Sequence, residues 1–183
     1  MRVIAGIYRG RVLKSPQDTK MRPTSDRLRE TLFNILAPRI NDETRFLDLC
    51  SGTGAIGIEA LSRGAAFTTF VDKSKRSCAL IEENLDKLAI PESQTEILNH
   101  EAENFTARDH ALGWDIVFFD PPYDGDYSLA LHDLGVKKDL LNHGGVLVVE
   151  HHAKKQMPDG IGSLRRWRIL KQGETNLSFY EHA

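Results

Sequence analysis

Four consecutive residues, Asp120-Pro121-Pro122-Tyr123, follow the apolar run Ile116-Val117-Phe118-Phe119. The run reads as a buried strand. Two successive prolines lack backbone N–H groups and resist helical geometry, so the strand ends in a stiff, extended turn. That turn sets three groups at the rim of a sheet: a carboxylate, carbonyls that no ladder bond has used, and an aromatic ring. A planar substrate with an amino nitrogen could stack on Tyr123 while its amino hydrogens meet Asp120 and the Pro121 carbonyl.

A second stretch, Leu47-Asp48-Leu49-Cys50-Ser51-Gly52-Thr53-Gly54-Ala55-Ile56-Gly57, reads as a strand, a glycine loop and a helix start. Gly52 and Gly54 would let the backbone approach a ligand, and Gly57 would let the helix pack closely on the sheet. The next strand ends at Asp72, whose carboxylate could accept both hydroxyls of a ribose. A dinucleotide and S-adenosylmethionine are the two competing ligands. Asp48 favours the second, because a carboxylate just before the loop suits a cationic methionine amino group, and the Asp120–Tyr123 turn at the end of the fourth strand decides it. A pyrophosphate would want that helix N-terminus free of a competing anion. In a doubly wound sheet the ends of the first and fourth strands flank the switch point, so both motifs open on one crevice. S-adenosylmethionine is the expected cofactor.

The elements that must hold these groups alternate. Strands are predicted at 46–49, 68–72, 95–99, 115–119 and 145–150, with helices at 55–63, 73–88, 103–111 and 129–141. Residues 164–170 and 177–180 read as a closing antiparallel pair. This alternation predicts an α/β fold with a mostly parallel sheet covered by helices on both faces. Before it, residues 1–13 read as a short hairpin. A helix then follows a capping candidate among Thr24, Ser25 and Asp26, with Leu28, Leu32, Ile35 and Leu36 on one face and Arg27 and Arg29 off it. Pro38 ends that helix. We therefore divide the chain into a basic extension, residues 1–39, and a cofactor-binding catalytic domain, residues 40–183.

Composition supports a soluble globular domain: 183 residues, 40% hydrophobic and 27% charged. No apolar run has the length of a membrane span, and no signal-peptide core is visible. Cys50 and Cys78 form no zinc spacing or disulfide framework, so a reduced, cytoplasmic setting is expected. Net charge is −2, yet residues 1–39 carry nine Lys/Arg against three acids, +6, which leaves −8 elsewhere. A basic arm on an acidic body points to an anionic partner such as RNA, with Arg9, Arg11, Arg22 and Arg29 as contacts.

The whole pattern resembles class I S-adenosylmethionine-dependent methyltransferases of exocyclic amines. More narrowly it resembles the RsmD-type 16S rRNA guanine-N2 methyltransferases. The N-terminal block carries the narrower likeness: Arg2-Val3-Ile4-Ala5-Gly6, Tyr8-Arg9-Gly10-Arg11 and Arg22-Pro23-Thr24-Ser25-Asp26-Arg27-Leu28-Arg29-Glu30. Leu47–Gly57, Glu59–Ala65, Asp120–Tyr123, Gly144-Gly145 and Leu177–Tyr180 extend it along the chain. The resemblance implies a Rossmann-like methyltransferase sheet and catalysis by Asp120, Pro121, Pro122 and Tyr123. It implies cofactor contacts from Asp48, Cys50, Ser51, Gly52, Gly54, Asp72 and Lys73, and no metal. Glu101-Ala102 stands where the family usually has an Asp for the adenine amino group. The implied partner is 16S rRNA in an assembled or partly assembled small ribosomal subunit, without a membrane.

Two other functions stay open on the residues alone. A DNA adenine-N6 methyltransferase would use the same four-residue turn, although it generally needs a larger recognition domain. A noncatalytic RNA-binding module with this fold would be expected to have lost Asp120 or the glycines. His143, His151 and His152 do not read as a metal set, since adjacent strand residues point to opposite faces.

Overall fold

The computed structural model describes residues 1–16 and 25–183. Its strands are β1 (Arg45–Leu49), β2 (Phe67–Asp72), β3 (Thr95–Asn99), β4 (Trp114–Phe119), β5 (Leu141–His152), β6 (Gly160–Ile161), β7 (Leu164–Gln172) and β8 (Thr175–His182). The helices are α1 (Asp26–Leu36), α2 (Ala55–Ser62), α3 (Lys75–Leu88), α4 (Ala102–Thr106) and α5 (Ser128–Val136). All strands join one sheet in the order β3-β2-β1-β4-β5-β8-β7-β6. β1 to β5 are parallel, and β8, β7 and β6 close the sheet antiparallel. The chain winds outward from β1 to β3, then returns to the other side of β1 with β4. That reversal opens a crevice at the carboxyl ends of β1 and β4.

Alternation along the strands sorts side chains onto two faces. Phe46, Ile116, Phe118, Val146 and Val148 share a buried cluster with Leu28, Leu32, Phe33 and Leu36 of α1 and with Ile56 and Ala60 of α2. Leu47, Leu49, Val117, Phe119, Leu147 and Val149 form the opposite cluster with Phe105 of α4 and Ala130 and Leu134 of α5. Fully burying one such Leu or Phe contributes about 1.5–3 kcal/mol, so α1 is held mainly by its apolar stripe. Ser25 caps it, its hydroxyl accepting from Leu28 N at 3.2 Å. Thr24, another capping candidate, lies outside the described residues.

The sequence misassigned one side of α1. Phe33 is fully buried, Ile35 only partly, and Arg29 lies on the buried face with no exposed surface. Other boundaries shift for physical reasons. α5 stops at Val136 because Leu141, apolar and helix-compatible, pairs with Trp114 and starts β5 early. α4 ends at Thr106, short of the expected Ala111. The hairpin is a loop closed by one bridge, Arg2↔Val12, with backbone bonds Val3 N to Arg11 O and Leu13 N to Met1 O.

That loop is anchored to α2. The fully buried Glu59 carboxylate accepts from Ile4 N and Ala5 N at 2.8 and 3.0 Å, and from Arg63 Nε at 2.7 Å. Ser62 adds its carbonyl to Ile7 N and its hydroxyl to Tyr8 N. Val3 and Leu13 enter the core with Ile58, Leu61 and Ile81. Arg9 and Arg11 stay exposed on the loop's outer side.

Candidate active site

The parallel register lines up the acids. Asp48 stands beside Phe70 and Phe118, and Phe118 beside Val148. Asp72, Asp120 and Glu150 each follow two residues after one of these, so all four acids share a strand parity at one edge of the sheet. α1, α2 and α3 cover that face. A cavity of about 790 Å³ opens there. Its described lining includes seven carboxylates (Asp48, Asp72, Glu101, Glu103, Asp120, Asp126, Glu150) and two cations, Arg29 and Lys73.

The glycine loop takes its shape from backbone needs. Gly54 caps α2 at φ +75°, a left-handed conformation that favours glycine. A Cβ on Gly57 would sit 2.3 Å from the Phe70 ring, so this glycine brings helix and sheet together as expected. Gly54 differs from the expectation of ligand approach: its absent Cβ makes room for Ile81 at 2.9 Å. Cys50 also has positive φ, +67°. Burial, then the nearby Asp72, Asp120 and Asp48 charges, push its thiol well above the ordinary range. A thiol held protonated is no nucleophile.

Asp72 is positioned by the loop it serves. One carboxylate oxygen accepts from Gly52 N and the other from Ser74 N, both at 2.8 Å. Each oxygen keeps a lone pair for a further donor. Asp48 is buried, and its Oδ2 accepts from Gly57 N at 2.9 Å, in the first turn of α2. Burial outweighs that bond and, with repulsion from Asp72, pushes its carboxyl up to about 8. Ser51 lines the cavity, and its hydroxyl donates to Asp48 O and accepts from Val71 N. Its side chain joins β1 to β2 and its hydroxyl is spent there. Lys73 is exposed at the rim, as is Glu101, whose carboxylate caps no helix. Ala102 is buried beneath them.

At the other end of the cavity, Asp120 N donates to Leu49 O, which fixes the turn against β1. Among the described residues no donor reaches Pro121 O, whereas Pro122 O accepts from Gly125 N at 3.1 Å. Pro122 O is thus spent within the turn, while Asp120 and Pro121 line the cavity. Burial, then the Glu150 and Asp48 charges, raise the Asp120 carboxyl well above its ordinary range. Tyr123 is 40% exposed, with its hydroxyl 3.2 Å from Thr175 Oγ1 and its ring edge-on to His152. Thr175 and His152 thus hold the ring at the edge of the cavity.

Sequence reasoning missed Glu150 and Tyr127. Glu150 ends an apolar run, Val146–Val149, just as Asp120 does, and that shared pattern was available. Tyr127 is buried edge-on to Phe119 beneath Lys155, and no sequence pattern marks it. Of the arginines expected on RNA, Arg9 and Arg11 are exposed, Arg22 lies outside the described residues, and Arg29 is buried in the cavity wall. His151 is buried, with its ring nitrogens against Ser178 and the His152 carbonyl.

This sheet, with an acid-edged crevice between a glycine loop and an Asp-Pro-Pro-Tyr turn, is that of a class I methyltransferase. The family model described as Conserved hypothetical protein 95 matches residues 1–181, and the chain belongs to that family. A provisionally named rRNA methyltransferase of Bacillus subtilis (strain 168) is 34% identical over 183 residues, covering 99% of this chain and 98% of the relative. Ribosomal RNA small subunit methyltransferase D of Haemophilus influenzae is 32% identical over 181 residues, covering 98% and 91%. A solved Escherichia coli structure, provisionally named a methyltransferase, superposes with a TM-score of 0.88 at 33% identity, covering 100% and 97%.

Proposed function

We propose that this protein transfers a methyl group from S-adenosylmethionine to the exocyclic N2 of a guanine in small-subunit rRNA. One observation carries the reading. Asp120 and Pro121, whose carbonyl meets no donor among the described residues, share a cavity with the glycine loop and Asp72. The residues suit the cofactor: an acid-lined crevice favours a ligand with two cationic centres, and Asp72 offers lone pairs at the ribose position. S-adenosylmethionine supplies a methyl group already activated on a sulfonium.

The protein's task is then mostly placement. The guanine N2 lone pair is delocalised into the ring, so the amine is a poor nucleophile. Acceptance of its two hydrogens by Asp120 and Pro121 O favours a more tetrahedral nitrogen with its lone pair turned toward the methyl. Tyr123 holds the base plane. Orientation of this kind can supply roughly 7–11 kcal/mol of a barrier. Asp120, or water beside it, takes the N2 proton that leaves after transfer. A stacked base must first be extruded, at about a few kcal/mol, and the resemblance to small-subunit enzymes favours an assembled or partly assembled particle that presents it. Among the described residues no helix is long and apolar enough to cross a membrane, and the proposed setting is cytoplasmic.

The direct test is transfer of labelled methyl to small-subunit RNA lacking modification, followed by nucleoside analysis. N2-methylguanosine is expected. N6-methyladenine made on DNA would replace the reading with its competitor, and no transfer to either would end it.

Two variants test the parts. Asp72→Ala should weaken S-adenosylmethionine binding by about 10–100-fold, since charge-assisted hydrogen bonds contribute roughly 1.5–3 kcal/mol each. It also frees Gly52 N and Ser74 N, so calorimetric affinity and a melting curve are measured together. Unchanged affinity in a folded variant removes the ribose assignment. Arg9→Ala with Arg11→Ala should weaken RNA binding and spare the cofactor. For every phosphate that thereby goes without its arginine, the slope of log affinity against log salt should fall by about 0.7–0.9. An unchanged slope would leave the loop as a cover for α2 alone.

A further inference from the structure

Arg29 is the most deeply buried charge on α1, with none of its surface exposed. A guanidinium carries five N–H donors. Its Nη2 donates to Arg2 O and to Asp26 Oδ1, both at 2.8 Å. Among the described residues, Nε and Nη1 have no partner. Three donors of a buried cation are thus unspent, in a side chain that lines the cavity. Leaving buried charged donors unsatisfied is costly, and such a group calls for an anion that arrives with a ligand.

We infer that Arg29 is the carboxylate anchor of the cofactor site, receiving the α-carboxylate of the methionine half of S-adenosylmethionine. This rests on the proposed cofactor and adds a residue for its one anionic group. The charge pattern selects that group. Seven described carboxylates line the cavity against Arg29 and the exposed Lys73. A ligand with a sulfonium and an ammonium suits such a wall, and its single carboxylate needs the one buried cation. A phosphate would meet Asp120 and Glu150 on entering the same space.

The position agrees. α1 packs on the face that carries Asp48, through Phe46 and Phe118, and it meets α2 through Ile56. Asp48 Oδ2 is taken by Gly57 N, and no described residue donates to Oδ1. Asp48 and Arg29 thus offer a carboxyl acceptor and a cation on the same face, as the ammonium and carboxylate of an amino acid require. Asp72 and Glu101 lie toward β2 and β3, where the adenosine would sit.

The test compares S-adenosylmethionine with its decarboxylated analogue, which lacks only this carboxylate, by titration calorimetry on the full chain. Wild type should prefer the carboxylated ligand by about 10–100-fold. Arg29→Gln should abolish the preference by weakening S-adenosylmethionine alone, and Arg29→Lys should restore part of it. Equal binding by wild type overturns the inference without any variant, so a folding defect cannot shield it. A folded Arg29→Gln that keeps the preference overturns it too. If that variant instead loses affinity only for an RNA oligonucleotide, the guanidinium serves a phosphate and the inference fails. If neither nucleoside binds wild type, the cofactor reading itself falls and takes this one with it.

Discussion

Asp120→Ala should bind S-adenosylmethionine close to wild type and lose methyl transfer by about 10²–10³-fold, the range for removing one preorganised hydrogen-bond partner of a transition state. The separation follows from position. Asp120 lies at the β4 end of the cavity with Pro121 and Tyr123, while Asp72 and the glycine loop lie at the other. Asp120→Asn should retain more activity, because its carbonyl oxygen still accepts one amino hydrogen while its amide group offers a donor where none is wanted. The reactive form is the carboxylate, and burial, the Glu150 charge and the Asp48 charge all oppose it. Lowering the pH through this raised pKa removes the acceptor, so the acidic limb of kcat/KM, which reports the free enzyme, should lie above the ordinary carboxylate range near pH 4. A positively charged cofactor draws the limb of kcat back toward that range. Single-turnover transfer by Asp120→Ala at the wild-type rate would end the amine-orienting role.

Much of this site was legible before any coordinates. The β4 run and its two prolines, the glycine loop and Asp72 are local signals, and each is built by residues adjacent in sequence. The parallel sheet followed from strand–helix alternation, because parallel strands need crossovers. What stayed hidden depends on contacts between distant segments. Whether Leu141 continues a helix or starts a strand is decided by Trp114, 27 positions earlier. Arg29 read as an RNA contact off the apolar face, and only the burial of Phe33 four residues on shows that it shares the inward face. Glu150 shares with Asp120 a place at the end of an apolar run, but only the register sets it beside the Asp120 turn. That the Ser51 hydroxyl joins β1 to β2 likewise depends on a strand twenty residues away.

The largest stability effect is expected at Glu59, which the sequence offers only as one acid in an otherwise apolar helix. Its carboxylate is fully buried and holds three donors: Ile4 N, Ala5 N and Arg63 Nε. Glu59→Ala removes the anion and leaves two backbone N–H groups and a largely buried guanidinium without it. Breaking a buried pair in this way costs about 3–5 kcal/mol, a large share of a domain's roughly 5–15 kcal/mol. For a chain of this size the melting temperature should fall by about 6–20 °C. Glu59→Gln should recover little, because its amide nitrogen faces donors. The damage should also be directional. Val3 and Leu13 can stay in the core only while the loop is docked, so amide exchange at Ile4 and Ala5 should quicken before that of β1 or β4. Arg9 and Arg11 ride on this loop, so RNA affinity should drop while cofactor affinity holds. A variant that melts with the wild type would show that Ser62 and the apolar contacts secure the loop by themselves. Loss of cofactor binding with RNA binding intact would place Glu59 in the service of the glycine loop.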